Sequence, residues 1–364
     1  MTDGVLNNGQ HAGKTYRVVQ WSAGRMGKKS VRAVVNHPKL ELVGLYVYSE
    51  DKEGVDAGTL AGIEPLGIAA TRDIGDVVAL APDCVLYMQE GFDVDDLTRL
   101  LSSGINVITT RNEFFYGAAM DPVIRSRIEA ACQQGGTSIH ATGSSPGFST
   151  TTMPLTLVNP MRRLDALTID EYADIPASVG PAMIKRMGFG SPVESSVIDP
   201  ALLAPAVIGY QQSIAALADA IGLPLDGFEV RGDIARATTP YTLSDGWIIE
   251  EGTMAGQRLT VAGMRKGKEF ISFRAHWFCT QQLDPDWDIG GEGWLFTTKG
   301  DAPMQARVTY GRTDEGYSEH LAGYTAHPAV NAIPYVVQAQ PGIVTIFDMP
   351  PIIARFGGVH NDSD

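Results

Sequence analysis

The segment Tyr16-Arg17-Val18-Val19-Gln20-Trp21-Ser22-Ala23-Gly24-Arg25-Met26-Gly27 joins a short β-rich run to a helical pattern through small residues. Small residues at such a junction allow a tight turn, close approach of a pyrophosphate to the backbone, and tight helix–strand packing. Ser22 stands where the dinucleotide fingerprint has its first glycine, while Gly24 and Gly27 keep the other two. Backbone N–H groups at the helix start then face the phosphates. This marks Ser22, Ala23, Gly24, Arg25 and Met26 as cofactor-binding. The second strand closes on Tyr46-Val47-Tyr48-Ser49, with no acid at its tip to take a ribose 2′-hydroxyl. Ser49 and Lys52, with Arg25 nearby, suit a 2′-phosphate, so NADP is the expected cofactor and NAD an allowed one. Met88 ends the third strand, with Gln89 directly after it, and Thr110 ends the fourth, which adds them to the same binding edge.

Glu113 follows the strand Val107-Ile108-Thr109-Thr110. In open α/β sheets ligands gather at the carboxyl ends of the strands. A carboxylate there can act as general base or stabilise positive charge. By spacing alone it is more readily a glutamate decorating a loop before a helix, with Arg111 either pairing with it or facing solvent. The histidines lack ligand spacing and the cysteines stand singly, so no metal site is expected. His140, on the last strand of the first half, reads as a packed histidine rather than an acid.

These residues need a parallel sheet behind them, and the chain supplies the pattern. Apolar runs at Tyr16–Trp21, Leu42–Tyr48, Asp83–Met88, Asn106–Thr110 and Thr137–Ala141 alternate with helical patterns at Gly24–His37, Val94–Ser103 and Ala119–Gln134. The expectation is a Rossmann-type α/β domain over residues 14–147, after a disordered lead-in of 13 residues. From 148 to 327 the texture becomes α+β, with strands at Arg258–Ala262, Phe270–Cys279 and Met304–Tyr310. Ile271, Phe273, Ala275 and Trp277 alternate with Ser272, Arg274, His276 and Phe278, which predicts a mixed or antiparallel sheet with one buried face. A late helix, Ala329–Ala339, and the rest of 328–364 are expected to return to the first domain.

The chain has 364 residues, 44% hydrophobic and 19% charged, which is globular composition. A net charge of −14 argues against general affinity for nucleic acid or anionic membranes. No apolar run reaches membrane-spanning length, and Met1–Lys14 lacks the pattern of a signal peptide. Cys84, Cys132 and Cys279 are odd in number and far apart, so reduced core thiols and a cytoplasmic location are expected.

Gly24-Arg25-Met26-Gly27 resembles dihydrodipicolinate reductase, but the His-His-x-x-Lys motif of that enzyme is absent. A closer resemblance is to 2,4-diaminopentanoate dehydrogenase and the native amine dehydrogenases. It rests on Val18-Val19-Gln20-Trp21-Ser22, on Val47-Tyr48-Ser49 with Lys52 and Gly54, and on Gly104–Thr110 leading to Glu113-Phe114. Ala141-Thr142-Gly143 with Pro146-Gly147-Phe148, Asn331–Pro334 and Pro341-Gly342-Ile343 continue it. The resemblance implies a homodimer that interconverts a small amine with its ketone or aldehyde and ammonia. Glu113 matches the family's catalytic glutamate in Thr110-Arg111-Asn112-Glu113-Phe114. Ser145 takes a position near the nicotinamide where the family commonly has asparagine. Phe148, Tyr172, Met187 and Phe189 fall on segments that line the family's substrate pocket. Two other readings stay open: an NADPH-dependent imine or carbonyl reductase that needs no ammonia, and a dinucleotide sensor without turnover.

Overall fold

The structure is a computed structural model that describes residues 13–195, 200–311 and 317–357. The expected disordered lead-in lies outside them apart from Gly13. Two compact units divide the chain, Met1–Ala141 with Ala326–Asp364, and Thr142–Thr325. Strands are numbered β1 to β15 along the whole chain.

The first unit is built on β1 (Tyr16–Trp21), β2 (Leu40–Tyr46), β3 (Cys84–Tyr87), β4 (Asn106–Thr109), β5 (Ser138–Ala141) and β15 (Gly342–Val344). They form one sheet in the order β15-β5-β4-β3-β1-β2, every pair parallel. Its strands are nearly all apolar because both faces are covered. One face packs Val18, Leu42 and Leu86 against Val31 and Val34 of helix Arg25–Val35 and against Val330, Ile333 and Val336. The other packs Trp21, Tyr87 and Val107 against Leu97, Leu100 and Ile128. The carboxyl groups of Asp93 and Asp121 cap helices Val94–Ser102 and Pro122–Gly135 by accepting first-turn N–H groups. Chain order reverses between β1 and β3, which puts the topological switch point beside the Ser22–Gly27 loop. The second strand runs from Leu40 rather than Leu42 and ends at Tyr46. Short helices at Ala57–Ala61 and Ile74–Ala79 carry no pattern long enough to read from sequence.

The second unit holds β6 (Leu164–Asp174), β7 (Gly227–Ala237), β10 (Met254–Arg265), β11 (Lys268–Phe278), β12 (Leu283–Asp284), β13 (Gly293–Gly300) and β14 (Gln305–Thr309), with a small pair of β8 (Tyr241–Thr242) and β9 (Ile248–Ile249). The large sheet runs β12-β7-β10-β11-β6-β13-β14. It is mixed, because β6 and β11 are parallel while the other neighbours are antiparallel. Helix Pro200–Ala220 lays Tyr210, Ile214, Leu217 and Ala218 on Ile169, Val261 and Phe273. The opposite face is also buried along β11, which corrects the expectation of a single buried face: Ser272, His276 and Phe278 are shielded as well. Glu269 accepts from the Ser272 hydroxyl and Asp170 bonds His276 Nε2, while His276 Nδ1 is buried without a described partner. The late helix starts earlier than expected, at Tyr317, and ends at Val336. Among the described residues no helix is long and apolar enough to cross a membrane.

Candidate active site

In the first unit the dinucleotide loop has a backbone that fits its expected ligand. Ser22 adopts φ +81°, the left-handed region that glycine enters freely and other residues enter at a cost of about 1–2 kcal/mol. This is the position of the missing first glycine, so the turn is kept and the sequence departure is absorbed as strain. A Cβ on Gly27 would lie 2.0 Å from the Ser22 carbonyl oxygen, so only glycine lets helix and loop pack this closely. A Cβ on Gly24 would meet nothing nearer than Ser22 Oγ at 3.7 Å. The buried Gln20 amide donates to the carbonyls of Trp21, Ser22 and Leu86 at 2.9, 3.1 and 3.3 Å and fixes the loop from beneath. Helix Arg25–Val35 has no side-chain cap and no acid in its first turn, which leaves its positive end open to an anion. Ala23 is buried, Met26 partly so, and Arg25 is exposed.

The strand tips beside this loop are aromatic. Trp21 stacks on Tyr46 at 3.7 Å, and its indole N–H donates to Tyr48 Oη at 2.7 Å and to Gln89 Oε1 at 3.2 Å. Burial pushes the Tyr48 phenol up to about 12. Ser49 is exposed and Lys52 half-buried in the turn Glu50–Lys52. Arg72, which sequence reasoning missed, reaches the same tip: its Nε donates to the Tyr48 carbonyl at 3.1 Å. No local pattern announces it, because a bridge from Tyr46 to Thr71 brings it there. Met88 is buried, with Ser30 Oγ 3.0 Å from its sulfur, so it supports the helix from below. Thr110 follows β4, half-buried.

Glu113 lies in the turn Asn112–Phe114, just beyond the carboxyl end of β4. Phe114 anchors that turn, fully buried and edge-on to Phe92. Arg111 grips the carboxylate with two hydrogen bonds, Nη2 to Oε1 at 2.6 Å and Nε to Oε2 at 3.2 Å. Of the two roles open to Arg111, the structure shows pairing. His140 is fully buried, its Nδ1 2.8 Å from the Val344 carbonyl, and burial lowers its pKa to about 4. It is a packed histidine. All three cysteines are free and buried.

In the second unit, Ser145 lies on the kinked segment Ser144–Thr152. Its hydroxyl bonds Glu171 Oε2 and lies 2.5 Å from Ser149 Oγ, and Trp294 Nε1 approaches at 3.2 Å. The Trp294 indole also donates to Glu171 Oε2 at 2.9 Å. Phe148 meets Trp294 edge-on. Alternation along β6 sends Tyr172 to the other face, where it stacks on His276 at 4.7 Å. Phe189 and Met187 belong to that side too, Phe189 fully buried, while the Met187 carbonyl accepts from Gln257. The four expected pocket residues therefore do not share one surface of this unit. There Asp170 binds Arg274 at 2.6 Å and His276 at 2.9 Å; burial pushes its carboxyl up, but these bonds hold it below the usual range. Glu171, one residue from the expected Tyr172, is the polar group that sequence reasoning passed over.

Similarity to known proteins covers both units. Residues 148–363 match the family model described as the 2,4-diaminopentanoate dehydrogenase C-terminal domain, and residues 18–89 that of dihydrodipicolinate reductase, N-terminus. An amine dehydrogenase of Streptomyces virginiae is 30% identical over 361 residues, 93% of this chain and 98% of its own length. The 2,4-diaminopentanoate dehydrogenase of Acetoanaerobium sticklandii is 24% identical over 82% of this chain and 79% of its own. The solved structure of an amine dehydrogenase from Mycobacterium smegmatis shares the fold, with TM-score 0.74 and 20% identity over 95% of this chain and 99% of that one. The chain therefore belongs to the family of the amine dehydrogenases and 2,4-diaminopentanoate dehydrogenases.

Proposed function

We propose that the protein is an NADP-dependent amine dehydrogenase that interconverts a small ketone or aldehyde, ammonia, NADPH and a proton with the primary amine, water and NADP+. The observation that carries this reading is the Glu113 carboxylate at the carboxyl edge of the sheet that also bears the Ser22–Gly27 loop. When bound, the nicotinamide supplies or accepts the hydride. Glu113 removes the proton from ammonium or the attacking amine, and its charge favours the cationic iminium. Arg111 holds the carboxylate in one orientation by its two-point grip. Ser49, Lys52 and Arg72 at the β2 tip suit a 2′-phosphate, with Arg25 on the adjoining loop; this favours NADP over NAD. We further take the working form to be a homodimer and the setting a reducing cytoplasm, in keeping with three buried free thiols.

The Arg111 pairing favours a second reading. An already compensated carboxylate is less available to a cationic nitrogen, which suits reduction of a carbonyl or preformed imine without ammonia. NADPH oxidation over a panel of small ketones and aldehydes, with and without ammonium chloride, separates the two. The expected result is ammonia-dependent turnover, with Glu113→Ala lowering kcat/KM by about a hundredfold or more. Equal rates without ammonia would reject amination and leave the reductase.

A further inference from the structure

Glu171 projects from β6 onto the helix-covered face of the second unit. Its described partners are all neutral. Ser145 and Trp294 share Oε2, and no described lysine, arginine or histidine pairs with the carboxyl. Oε1 accepts no hydrogen bond from any described residue, yet it is not among the buried side-chain atoms left without a partner, and the residue is partly exposed. The contrast with the opposite face is sharp. Asp170, one residue earlier, is saturated by Arg274 and His276. Burial raises the Glu171 carboxyl above its ordinary range. A half-buried carboxyl without a countercharge is relieved either by taking up a proton or by a cationic partner.

The surroundings suit such a ligand. Trp294 touches the carboxyl, and Phe148, Tyr310 and Tyr324 pack against that indole, with centroids at 5.7, 4.9 and 6.2 Å. Burial pushes the Tyr210 phenol up, and the Glu171 carboxylate adds to that shift. Aromatic rings near a carboxylate favour a small organic ammonium, offering charge on one side and polarisable surface on the other. Ser145 has little capacity left for a ligand. Its single O–H and its lone pairs are engaged by Glu171, Ser149 and Trp294. Ser145 thus sets the carboxyl's orientation rather than meeting a ligand itself.

We propose that Glu171 is the group with which the second unit binds the amine nitrogen of a small primary ammonium substrate, through its open Oε1. This rests on the amine dehydrogenase reading for the identity of the ligand, and on unit-internal geometry for the site. An N–H donor has a second possible source, the carboxamide of the cofactor, and the test separates the two. Isopropylammonium chloride is titrated calorimetrically into the full chain, wild type and Glu171→Gln, with isopropanol as the uncharged control. NADPH is titrated into the same proteins. Glu171→Gln keeps the size and an acceptor for Ser145 and Trp294 but loses the charge.

The expected result is ammonium affinity at least tenfold weaker in Glu171→Gln, with NADPH affinity within twofold of wild type. Glu171→Asp, which keeps the charge on a shorter arm, should recover part of the ammonium affinity even if the glutamine variant misfolds. Equal ammonium affinity in wild type and Glu171→Gln overturns the assignment, as does a loss confined to NADPH. If the wild type shows ammonia-dependent turnover while both affinities ignore the substitution, the functional reading stands and this site falls. If no carbonyl is aminated but isopropylammonium still depends on Glu171, the site stands and the functional reading falls.

Discussion

Ser22 shows how a single departure from a motif is accommodated. The left-handed φ that glycine would supply is kept by a serine, and its hydroxyl lies 3.4 Å from the Gly24 N–H. The turn is thus set by the surrounding structure, by Gln20 beneath and by the close seat of Gly27, more than by Ser22's own preference. Ser22→Gly should remove about 1 kcal/mol of strain, partly offset by a more flexible unfolded chain. A thermal melt should rise by about 2 °C, and dinucleotide affinity should stay within threefold. A tenfold loss of affinity at unchanged stability would mean that the hydroxyl itself contacts the cofactor.

At the scale of elements, the seam between β5 and β15 carries a titratable core. His140 gives its Nδ1 to the Val344 carbonyl, and its Nε2 is buried without a partner. Because burial lowers the folded pKa to about 4 from 6.5, the unfolded chain takes up the proton first as pH falls. This contribution to stability is intact above pH 6.5 and is lost progressively toward pH 4, by up to about 3 kcal/mol. Urea unfolding from pH 7 to 4 should show that slope, and His140→Gln should flatten it; an unchanged slope would place the proton uptake elsewhere. The same elements show what the sequence disclosed. The first five strands of the parallel sheet were legible within a few residues, because strands buried on both faces read as unbroken apolar runs. Helix Pro200–Ala220 and strands β7 and β13 were not singled out. The helix is apolar around most of its circumference, so it lacks a stripe, and β7 carries charges on one exposed face. At the site, the loop and the Glu113 segment were legible from local spelling. Arg72 and Glu171 were not, because a long-range bridge delivers one and strand alternation decides the facing of the other.

On the scale of the molecule, the first unit is discontinuous. Val330, Ile333 and Val336 fill the core beneath Val18 and Val31, and β15 extends the sheet beyond β5. Burying three such side chains is worth about 6 kcal/mol, a large part of the 5–15 kcal/mol that holds a domain together. A chain ended after Thr325 should therefore lose dinucleotide binding and the melting transition of the first unit, as read by NADPH titration and calorimetry. Retained binding would show that residues 13–141 close their core unaided.

The same discontinuity orders events during synthesis. The polypeptide that makes β1 to β5 leaves the ribosome well before the residues that complete their core. At ordinary elongation rates the intervening Thr142–Thr325 takes roughly ten to forty seconds to be made. Through that interval the apolar face awaiting Val330 and Ile333 has no permanent cover, and by its end the second unit has its whole sequence. The part of the protein begun first is finished last, and the nascent first unit is the stage at which a chaperone has the most surface to protect.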